Sequence, residues 1–201
     1  MISTCLDGLT PPDLGLPSDF PDYRQSQREI VDYTIYGPNH TGSKAVVAVG
    51  APTGIGKTLA TESVGRLLDI RYATLTATKS LMDQRRDDFD VADIRGKDNF
   101  ECIGEFDGLM NPSCSDGAEH GCMHEGTLEC PYTSAVDAAS FHTSISTNYQ
   151  YWMYARMANR MALEKGGPIK LLVLDEAHLA PEQLCQFLNE YFSIESLTKY
   201  G

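Results

Sequence analysis

Residues 51–58 read Ala-Pro-Thr-Gly-Ile-Gly-Lys-Thr, and residues 171–178 read Leu-Leu-Val-Leu-Asp-Glu-Ala-His. Both stretches carry groups suited to phosphate chemistry. Gly54 and Gly56 let a backbone curl without Cβ clashes, so successive N–H groups and a following helix N-terminus can face phosphate oxygens. Lys57 supplies a point charge and Thr58 a hydroxyl for Mg²⁺. The consensus for such a loop begins with Gly; this chain has Ala51 there, with Gly50 just before it. The candidate nucleotide cradle is therefore Ala51, Pro52, Thr53, Gly54, Ile55, Gly56, Lys57 and Thr58. In the second stretch, four apolar residues predict a buried strand whose end presents two carboxylates. Asp175 is suited to hold Mg²⁺, and Glu176 to orient and deprotonate an attacking water. Together the two stretches predict a site for ATP with Mg²⁺.

A third set of residues is suited to metal. Four of the six cysteines, Cys102, Cys114, Cys122 and Cys130, fall within 29 residues, separated by 11, 7 and 7 others. A zinc ribbon holds its thiolates in tight C-x-x-C pairs, which this is not. Looser loops suit either a [4Fe–4S] cluster or an irregular zinc site, with His120 and His124 as substitute ligands. The surrounding segment 98–130 has five Gly and few large apolar residues. It is expected to need such a metal for its order, because metal-binding energy becomes folding energy.

These groups need elements to position them. Ala45–Val49 is short and apolar, as a buried parallel strand would be, and 58–68 has helical spacing at Leu59, Val64, Leu67 and Leu68. A helix is expected over 23–36, a strand over 71–76, a short helix after 77–80, and a strand over 91–94. Beyond the cysteines, the pattern predicts a helix over 134–140, a strand over 142–147, a helix over 149–163, and a last helix from Pro181 through Phe192. Residues 1–22, with Pro11, Pro12, Pro17 and Pro21, read as a flexible arm. Strands alternating with helices predict an α/β lobe: a mostly parallel sheet covered on both faces, with the irregular cysteine-rich insertion.

At 201 residues the chain suits one such domain with a small insertion. It shows neither a run of about 18 apolar residues nor a secretory leader, so a cytoplasmic location, or a nuclear one in a eukaryote, and no membrane partner are expected. A net charge of −12 argues against broad electrostatic attachment to nucleic acid. Cys5 and Cys185 are expected to be ordinary thiols, and Trp152 and Tyr154 packing residues.

The order of motifs resembles that of the iron–sulfur DEAH-box superfamily 2 DNA helicases, the xeroderma pigmentosum group D and DinG type. Arg24 and Gln27 look like that family's adenine-side motif. The loop at 51–58 has its usual form, leading Ala included. Thr76-Ala77-Thr78-Lys79-Ser80-Leu81 with Gln84 is similar to its DNA-contacting motif. Residues 95–102 look like the segment that introduces the first cluster cysteine, Cys130-Pro131-Tyr132 like the last, and Thr147-Asn148-Tyr149 like the strand end before the Asp-Glu-Ala-His box. The resemblance spans roughly 23–180. It implies a RecA-like first motor lobe over 23–97 and 131–201, with a [4Fe–4S] insertion over 98–130, favouring iron–sulfur over zinc. It also implies ATP hydrolysis coupled to movement on single-stranded DNA, with His178 coupling hydrolysis to a second lobe and Thr76, Thr78 and Lys79 near the DNA backbone.

The family's second lobe brings an arginine finger and is not in these residues. The 201 residues are therefore expected to be one piece of a longer protein or of a split machine, and to bind ATP while hydrolysing it slowly. Segment 98–130 contains eight Asp or Glu and no Lys or Arg, unlike a phosphate-gripping wedge. That charge motivates the rival reading, a metal-stapled ATP-binding module that regulates or scaffolds a partner.

Overall fold

A computed structural model describes residues 5–37, 45–157 and 161–191. It divides into two compact units, Met1–Ile70 with Asp88–Asp90, and Arg71–Asp87 with Val91–Gly201.

In the first unit, helix α1 (Gln25–Tyr36) packs against α2 (Lys57–Leu67). Val31 of α1 and Leu59, Ala60 and Val64 of α2 are buried. Tyr23 is tied to α2 as well: Ser63 Oγ donates to Leu59 O, so the Tyr23 hydroxyl donates to Ser63 Oγ at 2.8 Å. The expectation of a flexible arm does not hold over 5–22. Pro11–Leu14 is a 3-10 turn, closed by a Thr10–Asp13 capping box and a left-handed Gly15. Leu6, Pro11 and Leu16 are buried, Arg28 donates to Leu6 O, and Arg66 donates to Gly15 O. A few well-spaced apolar anchors thus order a Pro-rich stretch that lacks any periodicity.

The strand expected at 45–49 is not formed. Residues 45–50 have no regular structure, and Val46 is 97% exposed. A parallel strand exists only through hydrogen bonds to a neighbour, and among the described residues none pairs with this stretch.

The second unit is an α/β fold with a four-stranded, all-parallel sheet flanked by helices. Strands β1 (Tyr72–Thr76), β2 (Ala92–Ile94), β3 (Ser144–Asn148) and β4 (Leu171–Leu174) lie in the order β2-β3-β1-β4. One face carries Ala73, Leu75, Ile94 and Ile145, which form the core with Ala139 of α5 (Pro131–Phe141), Tyr149 and Trp152 of α6 (Tyr149–Met157), Leu163, and Ala180 of α7 (Ala180–Tyr191). Trp152 is a packing residue, as expected, with the Arg156 guanidinium 4.7 Å from its ring centre; Tyr154 is exposed. The other face is polar yet buried: Thr74 accepts a hydrogen bond from Arg85 of α3 (Lys79–Asp88) at 2.9 Å.

The sheet places β4 at an edge, which corrects the expectation of a buried strand: Leu172 and Leu174 are exposed. Arg71, just before β1, donates to the carbonyls of Ala139, His142, Leu163 and Gly167, tying the β2–β3 and β3–β4 connections to the start of β1. The helix expected over 149–163 is present to Met157 and followed by a 3-10 turn at Met161–Glu164. Residues 158–160 and 192, which those helix expectations include, lie outside the described residues. Among the described residues, no helix is long and apolar enough to cross a membrane.

Candidate functional site

In the first unit, the loop at 51–58 turns through two left-handed glycines, Gly54 (φ +78°) and Gly56 (φ +84°), and α2 begins at Lys57. Gly56 has a second reason to be Gly, because a Cβ there would stand 2.1 Å from Gln27 Nε2. Gln27 is buried and works in two directions. Its Oε1 accepts from Arg24 N at 2.8 Å, capping α1, and its Nε2 donates to Ile55 O at 3.0 Å. Arg24 Nη1 donates to Gly54 O at 3.0 Å. The two residues read from sequence as adenine-side are thus brought onto the loop. Pro52, Thr53 and Gly54 are exposed, and Lys57 Nζ folds back onto Ala51 O at 3.1 Å. Thr58 lies in the first turn of α2, whose leading N–H groups have no partner within the helix. A helix N-terminus with a lysine at its start, led into by two left-handed glycines, is an arrangement suited to an anion.

In the second unit, Asp175 follows β4 and extends its pairing, with its N–H on Leu75 O at 2.9 Å. The chain then turns sharply at Glu176, a non-glycine residue at φ +49°. That conformation costs about 1–2 kcal/mol. Asp175 Oδ1 accepts from Glu176 N at 3.1 Å, and His178 Nδ1 lies 3.3 Å from Glu176 Oε2. His178 is exposed at the turn Ala177–Leu179 before α7. The Tyr149 hydroxyl donates to Asp175 O at 3.1 Å. Burial first, then the charges of Asp175 and Glu176, holds the Tyr149 phenol above its ordinary pKa, so it stays protonated and able to donate. Sequence reading placed Tyr149 in a motif without giving it a role; its position directly after a strand, level with the Asp-Glu strand end, was the available signal.

The residues expected near DNA separate. Thr78 and Lys79 are exposed at the start of α3, and Thr78 Oγ1 accepts from Leu81 N at 3.3 Å as a helix cap. Thr76 is fully buried, with its hydroxyl directed to Thr78 O, so it shapes this turn and cannot meet a phosphate itself.

The insertion is pinned by Cys102 N on Pro112 O and Cys114 N on Phe100 O, at 2.8 and 2.7 Å. Cys114 opens a short helix α4 (Cys114–Glu119), capped by Ser113, and Cys130 caps α5. The thiols stand in two pairs, Cys102 with Cys122 at 3.6 Å and Cys114 with Cys130 at 3.9 Å. Either separation suits two thiolates on one tetrahedral metal, whose edge is about 3.8 Å for metal–sulfur bonds of about 2.3 Å. Yet among the described residues no three His, Cys, Asp or Glu side chains are placed to hold one metal ion. His120 Nδ1 is engaged by Asp116 O, and His124 pairs with Glu129. The arrangement is two thiol pairs, not a closed mononuclear tetrahedron. Small residues make room around it: a Cβ at Gly117 would meet Cys102 Sγ at 2.4 Å, and one at Gly104 would meet Cys122 Sγ at 3.2 Å.

The thiols differ electrostatically. Burial pushes Cys114 up to about 11. Burial also raises Cys130, but hydrogen bonds from Thr133 and Cys114 outweigh it and leave this thiol below its ordinary value. At Cys102 the Gly104 N–H favours the thiolate, while burial and Cys122 prevail and raise it.

No protein-family model matches the chain, and no curated protein matches it.

Proposed function

We propose that the chain is the ATP-binding motor lobe of a DEAH-type DNA helicase, RecA-like in fold, working with a second lobe. ATP binding and hydrolysis would drive movement along single-stranded DNA and duplex unwinding. The observation that carries this reading is the loop at 54–57: two left-handed glycines lead into a helix N-terminus at Lys57, with Arg24 and Gln27 fastened to the loop carbonyls. Its backbone donors and Lys57 would bind the phosphates, while Arg24 and Gln27 stand on the adenine side. Thr58 in the first unit and Asp175 in the second are each proposed as Mg²⁺ ligands, an ion that when bound would offset the phosphate charge. Glu176 would accept the proton of the attacking water, and His178, exposed beside it, would couple turnover to the second lobe.

Cys102, Cys114, Cys122 and Cys130 are the residues to hold the metal group of the insertion. The two close pairs do not choose between iron–sulfur and zinc; the order of motifs is what favours a [4Fe–4S] cluster. A [4Fe–4S] cluster would supply folding energy to a segment without its own core.

The test is ATP hydrolysis by the chain joined to a second-lobe polypeptide, with and without single-stranded DNA. Stimulation by DNA is expected; its absence would sink the helicase reading. Iron analysis and visible absorption of anaerobically purified protein separate cluster from colourless zinc.

A second reading, a metal-stapled ATP-binding module that regulates or scaffolds a partner, is favoured by the surface of the insertion. Met110, Met123 and Leu128 are exposed there among carboxylates. ATP binding without DNA stimulation would favour it.

A further inference from the structure

The turn after β4 presents Glu176 from a backbone conformation that a side chain disfavours, so something must hold it. The peptide unit between Asp175 and Glu176 is held at both ends. Its N–H donates to the Asp175 carboxylate at 3.1 Å, and its C=O accepts from the Tyr149 hydroxyl at 3.1 Å. The first bond is local and travels with the turn. The second comes from 26 residues away, at the start of α6, where Tyr149 is 3% exposed and part of the core under the sheet. Asp175 itself is fixed through its N–H on Leu75 O, so rotation of the 175–176 peptide is the freedom left at this point. Such a rotation would carry φ of Glu176 out of the left-handed region and swing its carboxylate away. His178, 3.3 Å from Glu176 Oε2, is exposed and is a weaker restraint than a buried phenol.

We infer that Tyr149 is a positioning residue for ATP hydrolysis, its hydroxyl locking the 175–176 peptide so that Glu176 points at the attacking water. The inference rests on the ATPase reading. Tyr149 acts through the peptide and touches no nucleotide group, so its loss falls on turnover far more than on affinity.

The experiment compares the 201-residue chain with Tyr149→Phe, Glu176→Gln and the double variant. It measures Mg-ATP affinity, single-turnover hydrolysis, and amide hydrogen exchange of 175–179 without nucleotide. Tyr149→Phe keeps the buried ring and removes one hydrogen bond, so turnover is expected to fall about tenfold with ATP affinity within about twofold of wild type. Exchange over 175–179 should quicken by a similar factor. In the Glu176→Gln background the same change should cost nothing further, because both act through one carboxylate. Turnover of Tyr149→Phe within twofold of wild type, an equal fractional loss in both backgrounds, or unaltered exchange would each overturn the inference. A wild type without Glu176-dependent hydrolysis overturns the ATPase reading and the inference with it; unaltered exchange alone overturns only the latter.

Discussion

Two turns bear the proposed chemistry, and each passes through the left-handed region, at Gly54 and Gly56 in one and at Glu176 in the other. In the glycine loop the ligand-facing groups are backbone N–H groups, so the side chains can be surrendered and the conformation costs little. At the Asp-Glu turn the working groups are carboxylates, so glycine cannot serve and the strain has to be carried. The supports differ accordingly. Arg24 and Gln27 hold the first loop by its carbonyls from outside, whereas the second turn is held by its own Asp175 carboxylate and by Tyr149 from the core. A site that uses the backbone spends glycines; a site that uses side chains spends strain and must be braced.

The sharpest way to break this contrast is to alter the working carboxylate alone. Glu176→Gln should lower single-turnover hydrolysis by about 10²–10⁴-fold while ATP affinity stays within about twofold. A parallel loss of affinity would mean the turn shapes binding as well. Next in size, Lys57→Ala removes the loop's one charged side chain, and ATP affinity measured by calorimetry should fall about 10–100-fold. Unchanged affinity would count against the cradle. A smaller effect of opposite sign is expected for Glu176→Gly, which relieves the left-handed strain. The variant should be more stable by about 1 kcal/mol, a melting point some 2–4 °C higher for a chain of this size. A lower melting point would show that Glu176 makes contacts worth more than its strain. Smallest of all, Thr53→Ala in the exposed glycine loop should change ATP affinity by less than about threefold, since the loop works through its backbone. A large loss there would erase the distinction between the two turns.

How legible these features were in the sequence follows the same division. Gly54, Gly56 and Lys57, and the Leu171–Leu174 run ending in Asp175, announce themselves because a local pattern dictates a local shape. Helices α3, α5, α6 and α7 were readable for that reason too, whereas α4, six residues inside the cysteine-rich segment, has no apolar period to announce it. The strand expected at 45–49 was not safe to read, since pairing is a property of neighbours, and apolar residues alone do not supply one. The exposure of Leu172 and Leu174 was hidden for a related reason: their strand is at an edge, which is a fact of topology. The anchoring of 5–22 rests on Leu6, Pro11 and Leu16, too sparse to form a period. Thr76 belongs to a motif that suggests contact with a ligand, yet as the last residue of a central strand it is buried. Tyr149 is visible as a motif letter, but its bond to Asp175 depends on two strands that β1 separates in the sheet.

The fold-back of Lys57 onto the Ala51 carbonyl has a consequence for discrimination. The Ala51 carbonyl takes one of the three N–H donors of the ammonium and fixes the direction of the side chain. A ligand would meet the donors that remain. A small anion such as sulfate would gain only that contact, whereas a triphosphate adds the backbone donors of the loop and the helix end. In the proposed ATP site, an ammonium aimed in advance by its own loop would favour a polyvalent ligand that reaches the lysine and the helix end together.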